Sequence, residues 1–138
     1  MRYKAIKIFG IAALLLLPFW AGAQQQPQSE EEELKQMQEA IDRTVENYEN
    51  LLDLEIWQTF YVDSILTHDY NALREELKGL RDAKMSNSDA YQRVQDKWAE
   101  QIYNSFQKVF NEEQWQKYLK TGAGRDKKSR DKRAAKRK

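Results

Sequence analysis

The chain has 138 residues, a third of them charged, with a formal net charge of only +1 and no cysteine. That length suits one small domain and is too short for two. The missing cysteines exclude disulfide bracing, thiol nucleophiles and a lipidated N-terminal cysteine, so stability has to come from helix packing or from a partner that shares the core.

The first 23 residues read as a secretory signal peptide. Arg2, Lys4 and Lys7 supply a positive start, residues 8–17 are almost unbroken apolar sequence, Pro18 interrupts the run, and Ala21-Gly22-Ala23 offers the small residues needed for cleavage before Gln24. The apolar run falls short of the roughly 20 residues that span a bilayer. Cleavage after Ala23 is therefore expected over an uncleaved anchor, and removing 23 of 138 residues leaves 115. No later stretch is apolar enough to cross a membrane, so the expectation is an exported, soluble protein of the periplasm. Residues 24–29 are polar, include Pro27, and are expected to form a flexible leader.

A helical body is expected over residues 30–122. Ser29 with Glu32 makes a capping box, and Glu30, Glu31, Glu32 and Glu33 suit the positive end of a helix dipole. A cation site is the weaker reading of that acidic run, because consecutive residues fan out around a helix. Leu34, Met37, Ile41, Val45, Tyr48 and Leu52 recur at steps of three and four and predict a first helix to about residue 50. A second helix is expected from near Leu54 to about Lys84. Its first half offers Leu54, Trp57, Phe60, Tyr61 and Ile65 as the inward stripe, and its second half Leu66, Tyr70, Leu73, Leu77 and Leu80. The shift between the two stripes, beside the poor helix formers Thr67, His68 and Asp69, predicts a bend or a broadened face. Gly79 inside the seam suggests close approach of another helix.

Ser86-Asn87-Ser88 is the one strong interior break, with Ser88 expected to cap a third helix that carries Tyr91, Val94, Trp98, Ile102, Phe106 and Val109. Asn111 caps a short fourth helix with Trp115, Tyr118 and Leu119, and Gly122 and Gly124 are expected to end it. No segment alternates like a strand. The fold class is all-α, with three to four amphipathic helices. Residues 123–138 differ: from 125 onward they hold nine basic residues against Asp126 and Asp131, while residues 24–124 hold 20 acidic residues against 11 basic. A segment so poor in apolar side chains is expected to be disordered alone. It can brush the acidic body or be drawn to an anionic membrane surface, at ~1 kcal/mol per Lys or Arg near the lipid. Export argues against a nucleic-acid partner.

Catalytic constellations are missing. His68 is the only histidine, there is no glycine-rich phosphate loop, and paired carboxylates on amphipathic helices are mostly the wet face. One His and two Met beyond the leader make a dedicated metal site unexpected, and no cofactor is implied. The chain does not read as an enzyme. The positive signal is aromatic: a thin helical layer has little interior, so some rings have to be shared with a second subunit or left in a groove. Trp57, Phe60, Tyr61 and Tyr103 are the candidate client contacts, or equally dimer core.

Two short helix-start motifs carry the functional hint. The first is Leu54-Glu55-Ile56-Trp57-Gln58, where Glu55 or, alternatively, Asp53 takes the capping role. The second is Phe110-Asn111-Glu112-Glu113-Gln114. Together with the signal peptide and the small helical body, they resemble the Spy/CpxP family of bacterial periplasmic proteins, which carry two LTxxQ motifs at helix starts. Glu55 stands for Thr in the first copy; Phe110 stands for Leu and Asn111 for Thr in the second. The resemblance covers about residues 48–120. It implies a cradle-like antiparallel homodimer of bent helical hairpins. It also implies an ATP-independent chaperone, or a protein that damps envelope-stress signalling by touching a sensor. Some relatives sense zinc through His-rich segments that this chain lacks, and the positive concave face described for family chaperones contrasts with the acidic body here. The expected function is chaperone-like binding of unfolded or partner proteins on an amphipathic helical surface. The alternative is a regulatory or structural envelope protein with one specific partner, its basic tail on an anionic membrane.

Overall fold

The computed structural model describes residues 29–138; the expected signal peptide and nearly all of the leader lie outside the described residues. The regular structure among them is helical throughout. The elements are α1 (Glu30–Leu52), α2 (Ile56–Asp82), α3 (Ser88–Val109), α4 (Glu112–Tyr118), a π-helical turn (Leu119–Ala123) and α5 (Gly124–Lys136). Arg74 of α2 meets Glu30 near the start of α1, so these two helices run antiparallel. Glu76 meets Lys97 and Gln58 meets Val109, so α2 and α3 are antiparallel as well. α2 is the central helix and packs on both neighbours.

Local chemistry sets the helix ends. Ser29 Oγ accepts from Glu32 N at 3.3 Å, and the four glutamates occupy the first turn of α1. Asp53 ends α1 in the left-handed region (φ 49°), with the amides of Asp53 and Leu54 both returning to Glu49 O. Asp53 is thus a helix stop, and Glu55 is the cap that starts α2. For α3 the cap is Asn87, whose Oδ1 accepts from Asp89 N at 2.9 Å; Ser88, expected in that role, is the first helical residue. Asn111 caps α4 as expected.

α2 runs as one helix through Thr67, His68 and Asp69, where side chains bond along it, Thr67 Oγ1 to Asp63 and Asn71 Nδ2 to Thr67 O. Two expectations about α2 are corrected. The inward stripe is Gln58, Val62, Leu66, Asp69, Leu73 and Leu77, one continuous row at steps of three and four, and it leaves Trp57, Phe60 and Tyr61 outside. Gly79 faces open space: a Cβ there would meet nothing within 4 Å, so no helix approaches it.

The core combines Ile41 and Leu52 of α1, Val62 and Leu66 of α2, Ile102 and Phe106 of α3, Phe110, and Trp115 and Tyr118 of α4. Phe106 is at its centre, with ring centroids 5.9 Å from Tyr48, 5.2 Å from Phe110 and 5.4 Å from Tyr118. The core is therefore concentrated where α4 plugs the end of the three long helices. At the opposite end, residues 81–88 are all exposed.

The basic tail is the largest correction. Residues expected to be disordered form α5. Gly122, at φ 108°, breaks the helix as expected, yet the chain re-enters a helix at Gly124. The segment has few apolar side chains to bury, but an acidic row on α3 (Asp89, Asp96 and Glu100) pairs with Arg137, Arg133, Arg130 and Lys127 as the two helices run antiparallel.

Gly79→Ala is expected to stabilise the protein by about 0.5–1 kcal/mol, since it adds helix propensity at a solvent-facing position. Urea unfolding checks this; a destabilisation would mean that something does pack against the glycine.

Candidate functional site

The two motif glutamines meet. Gln58 Nε2 donates to Gln114 Oε1 at 2.7 Å, and Gln114 Nε2 donates to Gln58 Oε1 at 3.0 Å. Each amide has one more donor and one more acceptor site, and both are used. Gln58 Nε2 also donates to Val109 O, the end of α3, while Gln58 Oε1 accepts from Glu55 N at the start of α2. Gln114 Nε2 also donates to Leu52 O, the end of α1, while Gln114 Oε1 accepts from Asn111 N at the start of α4. Two side chains thereby satisfy each other and four orphan backbone groups at four helix termini. Both are buried, at 4% and 6% exposure. Leu54 and Phe110, the apolar residues that open the motifs, pack at this junction in the core cluster.

This clasp decides what α2 shows to solvent. With Gln58 turned inward, its neighbours Ile56 and Trp57 are turned out, and so are Phe60 and Tyr61 one turn later. Ile56 is 92% exposed, Phe60 67%, Tyr61 51% and Trp57 50%. The rings form a small array, with centroids 6.1 Å apart for Trp57–Tyr61 and 5.9 Å for Phe60–Tyr61, both edge-on. Trp57 Nε1 donates to Glu55, which fixes one side of the array. Asp53, Glu55 and Asp63, close to the array in sequence, are exposed carboxylates.

Tyr103 is not part of that array. It lies on α3 with its ring 4.9 Å from Trp115, and Lys127 and Arg130 of α5 sit over it at 5.6 and 5.5 Å. The structure thus brings three of the four candidate contacts together and places the fourth in the wall beneath α5.

The α3–α5 contact is electrostatic. Arg133 holds Asp96 with two bonds, Nε to Oδ2 at 2.8 Å and Nη2 to Oδ1 at 2.7 Å. Arg137 reaches Asp89 at 3.1 Å, and Glu100 accepts from both Arg130 and Lys127. Burial alone would raise the Asp96 carboxyl. The bonds from Arg133 and Gln92 and the charges of Arg133 and Arg137 outweigh it and hold that carboxyl below the ordinary carboxylate range. Hydrogen bonds from Arg93 and Arg137 lower Asp89 in the same sense. Sequence reasoning saw the two charge blocks but not their register. The one available signal was the match between basic residues at steps of three and four and acidic ones on a neighbouring helix face.

His68 is exposed, with Nδ1 2.7 Å from Asp69 Oδ1, and its ring lies 6.3 Å from that of Trp98. Among the described residues no group of three or more His, Cys, Asp or Glu side chains is arranged to hold a metal ion, and no helix is long and apolar enough to cross a membrane.

Two measurements follow from this geometry. Gln58→Ala and Gln114→Ala are each expected to destabilise by about 2–3 kcal/mol, since each leaves buried backbone and amide groups without partners. The double variant should fall short of the sum by about 1–2 kcal/mol in a double-mutant cycle; strict additivity would show that the amides are not coupled. For α5, the Asp96 carboxyl, held low by its bonds to Arg133, stabilises the docked helix fully above the ordinary Asp value of about 3.9, and that contribution is lost as pH falls through its lower docked value. Residues 124–136 are therefore expected to become mobile in 15N relaxation as pH is taken well below the ordinary Asp range, and at pH 7 in ~1 M salt, where the screening length is about 3 Å. A helix that stays rigid in high salt would contradict electrostatic docking.

Comparison with protein-family models, with curated proteins and with solved structures gave no match.

Proposed function

We propose that this is an exported, ATP-independent holder of unfolded or partner proteins, of the Spy/CpxP type, working as a homodimer of bent helical hairpins. The observation that carries the reading is the exposed array of Ile56, Trp57, Phe60 and Tyr61 on the rigid start of α2. Apolar side chains gathered on a surface and rimmed by charge are the usual mark of a protein-binding site. Full burial of such side chains is worth about 1.5–3 kcal/mol each, before the costs of association and ordering. Only a part of that sum remains as affinity, well under the roughly 5–15 kcal/mol by which a domain is stable. A client held so loosely can fold while bound. The acidic rim suits segments that combine apolar and basic side chains, and it would speed their encounter. The motif glutamines support the same reading, because they hold the array on a fixed helix start.

Trp57→Ser, Phe60→Ser and Tyr61→Ser combined should leave the helicity intact, as all three side chains are exposed. They should abolish the suppression of aggregation that the unaltered protein gives several unrelated clients at near-stoichiometric amounts. Failure of the unaltered protein to protect any client would overturn the chaperone reading.

One observation favours a second reading, a single envelope partner with the C-terminal helix on an anionic membrane. Pairing with α3 uses only one side of α5, and Lys128, Lys132 and Lys136 lie exposed at steps of four on the rest. Binding to anionic vesicles at low salt that is lost in K128Q/K132Q/K136Q would support it.

A further inference from the structure

A cavity of about 160 Å3 lies between α1, α2 and α3, with the turn after α4 and the first half of α5 along one side. A protein cavity of about 150 Å3 is large enough to hold a benzene ring. Leu66, Ile102 and Phe106 give it apolar walls, and Arg130 of α5 stands on the same lining. The Arg130 side chain is only 9% exposed. Its Nε donates to Glu100 Oε2 at 3.1 Å, while its Nη2 is shut off from solvent and has no hydrogen-bond partner. Glu100 cannot readily serve it, because its other oxygen already accepts from Lys127. Four buried side-chain atoms among the described residues lack a partner, and Arg130 Nη2 is the one that belongs to this lining. A buried charged donor left unbonded is costly, so the site favours whatever brings it an acceptor. The opposing charge on the lining is Asp126, which is exposed and therefore screened by solvent far more than Arg130 is. The lining phenols of Tyr48, Tyr70 and Tyr118 are raised by burial, Tyr48 to about 12, so at physiological pH they are neutral and do not repel an anion.

Apolar walls with a few placed polar groups are the usual construction of a small-molecule site. A carboxylate is the acceptor that suits a guanidinium best, because hydrogen bonds between ionised partners are the stronger kind. We propose that this cavity binds a small carboxylate with a single-ring apolar body, the body against Leu66, Ile102 and Phe106 and the carboxylate on Arg130. An inorganic anion would leave the apolar walls unfilled, and an uncharged ring would leave the guanidinium without its acceptor. The site is separate from the aromatic array on α2, and the inference does not depend on the chaperone reading.

The test is an NMR titration of the protein with four probes: benzoate, benzyl alcohol, benzylamine and acetate. Benzoate is expected to shift the Trp98 indole and the amides of Ile102 and Arg130 saturably. Benzyl alcohol and benzylamine, which keep the ring without the carboxylate, and acetate, which keeps the carboxylate without the ring, should each bind at least about tenfold more weakly. Arg130→Gln should weaken benzoate by about tenfold or more. Lys120→Gln, which removes an exposed cation outside the lining, should leave it unchanged. Asp126→Asn should tighten benzoate about two- to fivefold by removing the opposing rim charge. No saturable shift with benzoate, equal affinity for any of the other three probes, unchanged benzoate binding in Arg130→Gln, or an equal loss in Lys120→Gln would each overturn the proposal. Should Arg130→Gln release α5 and open the cavity, Asp126→Asn decides, and benzoate binding that it fails to tighten would overturn the proposal.

Discussion

Two buried amides facing each other hold this fold in register. Gln58 and Gln114 exchange hydrogen bonds and use every remaining valence on the ends of α1 and α3 and the starts of α2 and α4. Helix termini leave backbone groups that water cannot satisfy once they are buried. Four such termini meet at one point here, in the most densely aromatic part of the molecule, and an apolar residue at either glutamine would strand several of them. The network is complete, and a complete buried network specifies geometry more sharply than apolar packing does. Its consequence reaches the surface: the rotation that turns Gln58 inward also turns Trp57, Phe60 and Tyr61 outward.

The two ends of the molecule are held by different forces. Around the clasp, Phe106, Phe110, Trp115 and Tyr118 fill the space between the helices with rings. The C-terminal helix has almost nothing apolar to bury and is kept in place by arginines and lysines on an acidic row, with Arg130 and Lys127 also lying over Tyr103. Exposed ion pairs are individually worth little; here several are aligned in series along two antiparallel helices. Salt weakens this docking far more than the aromatic core, so the molecule has one firm end and one conditional edge.

Much of this was legible in the sequence and some was not. The first four helices, the break before α3, Asn111 as a cap and the role of Ser29 follow from local chemistry, which one sequence displays in full. The inward face of α2 was misread because Trp57, Phe60 and Tyr61 outweigh a glutamine in any count of apolar side chains. Gln58 is buried for its hydrogen bonds, to partners more than 50 residues away that no local window contains. α5 is hidden for a related reason. Its composition, poor in apolar side chains, points to disorder, and the acidic residues it docks on lie on another helix. Long-range polar pairing is the common element of what stayed hidden.

The most direct test of the central claim is the exchange of the Gln58 and Gln114 side-chain amide protons with solvent, followed by NMR in the native protein. If these amides bind the four helix ends together, their protons should exchange only when the whole domain opens, as slowly as the backbone amides of the core. Exchange at the rate of an exposed glutamine would show that the clasp does not hold the fold.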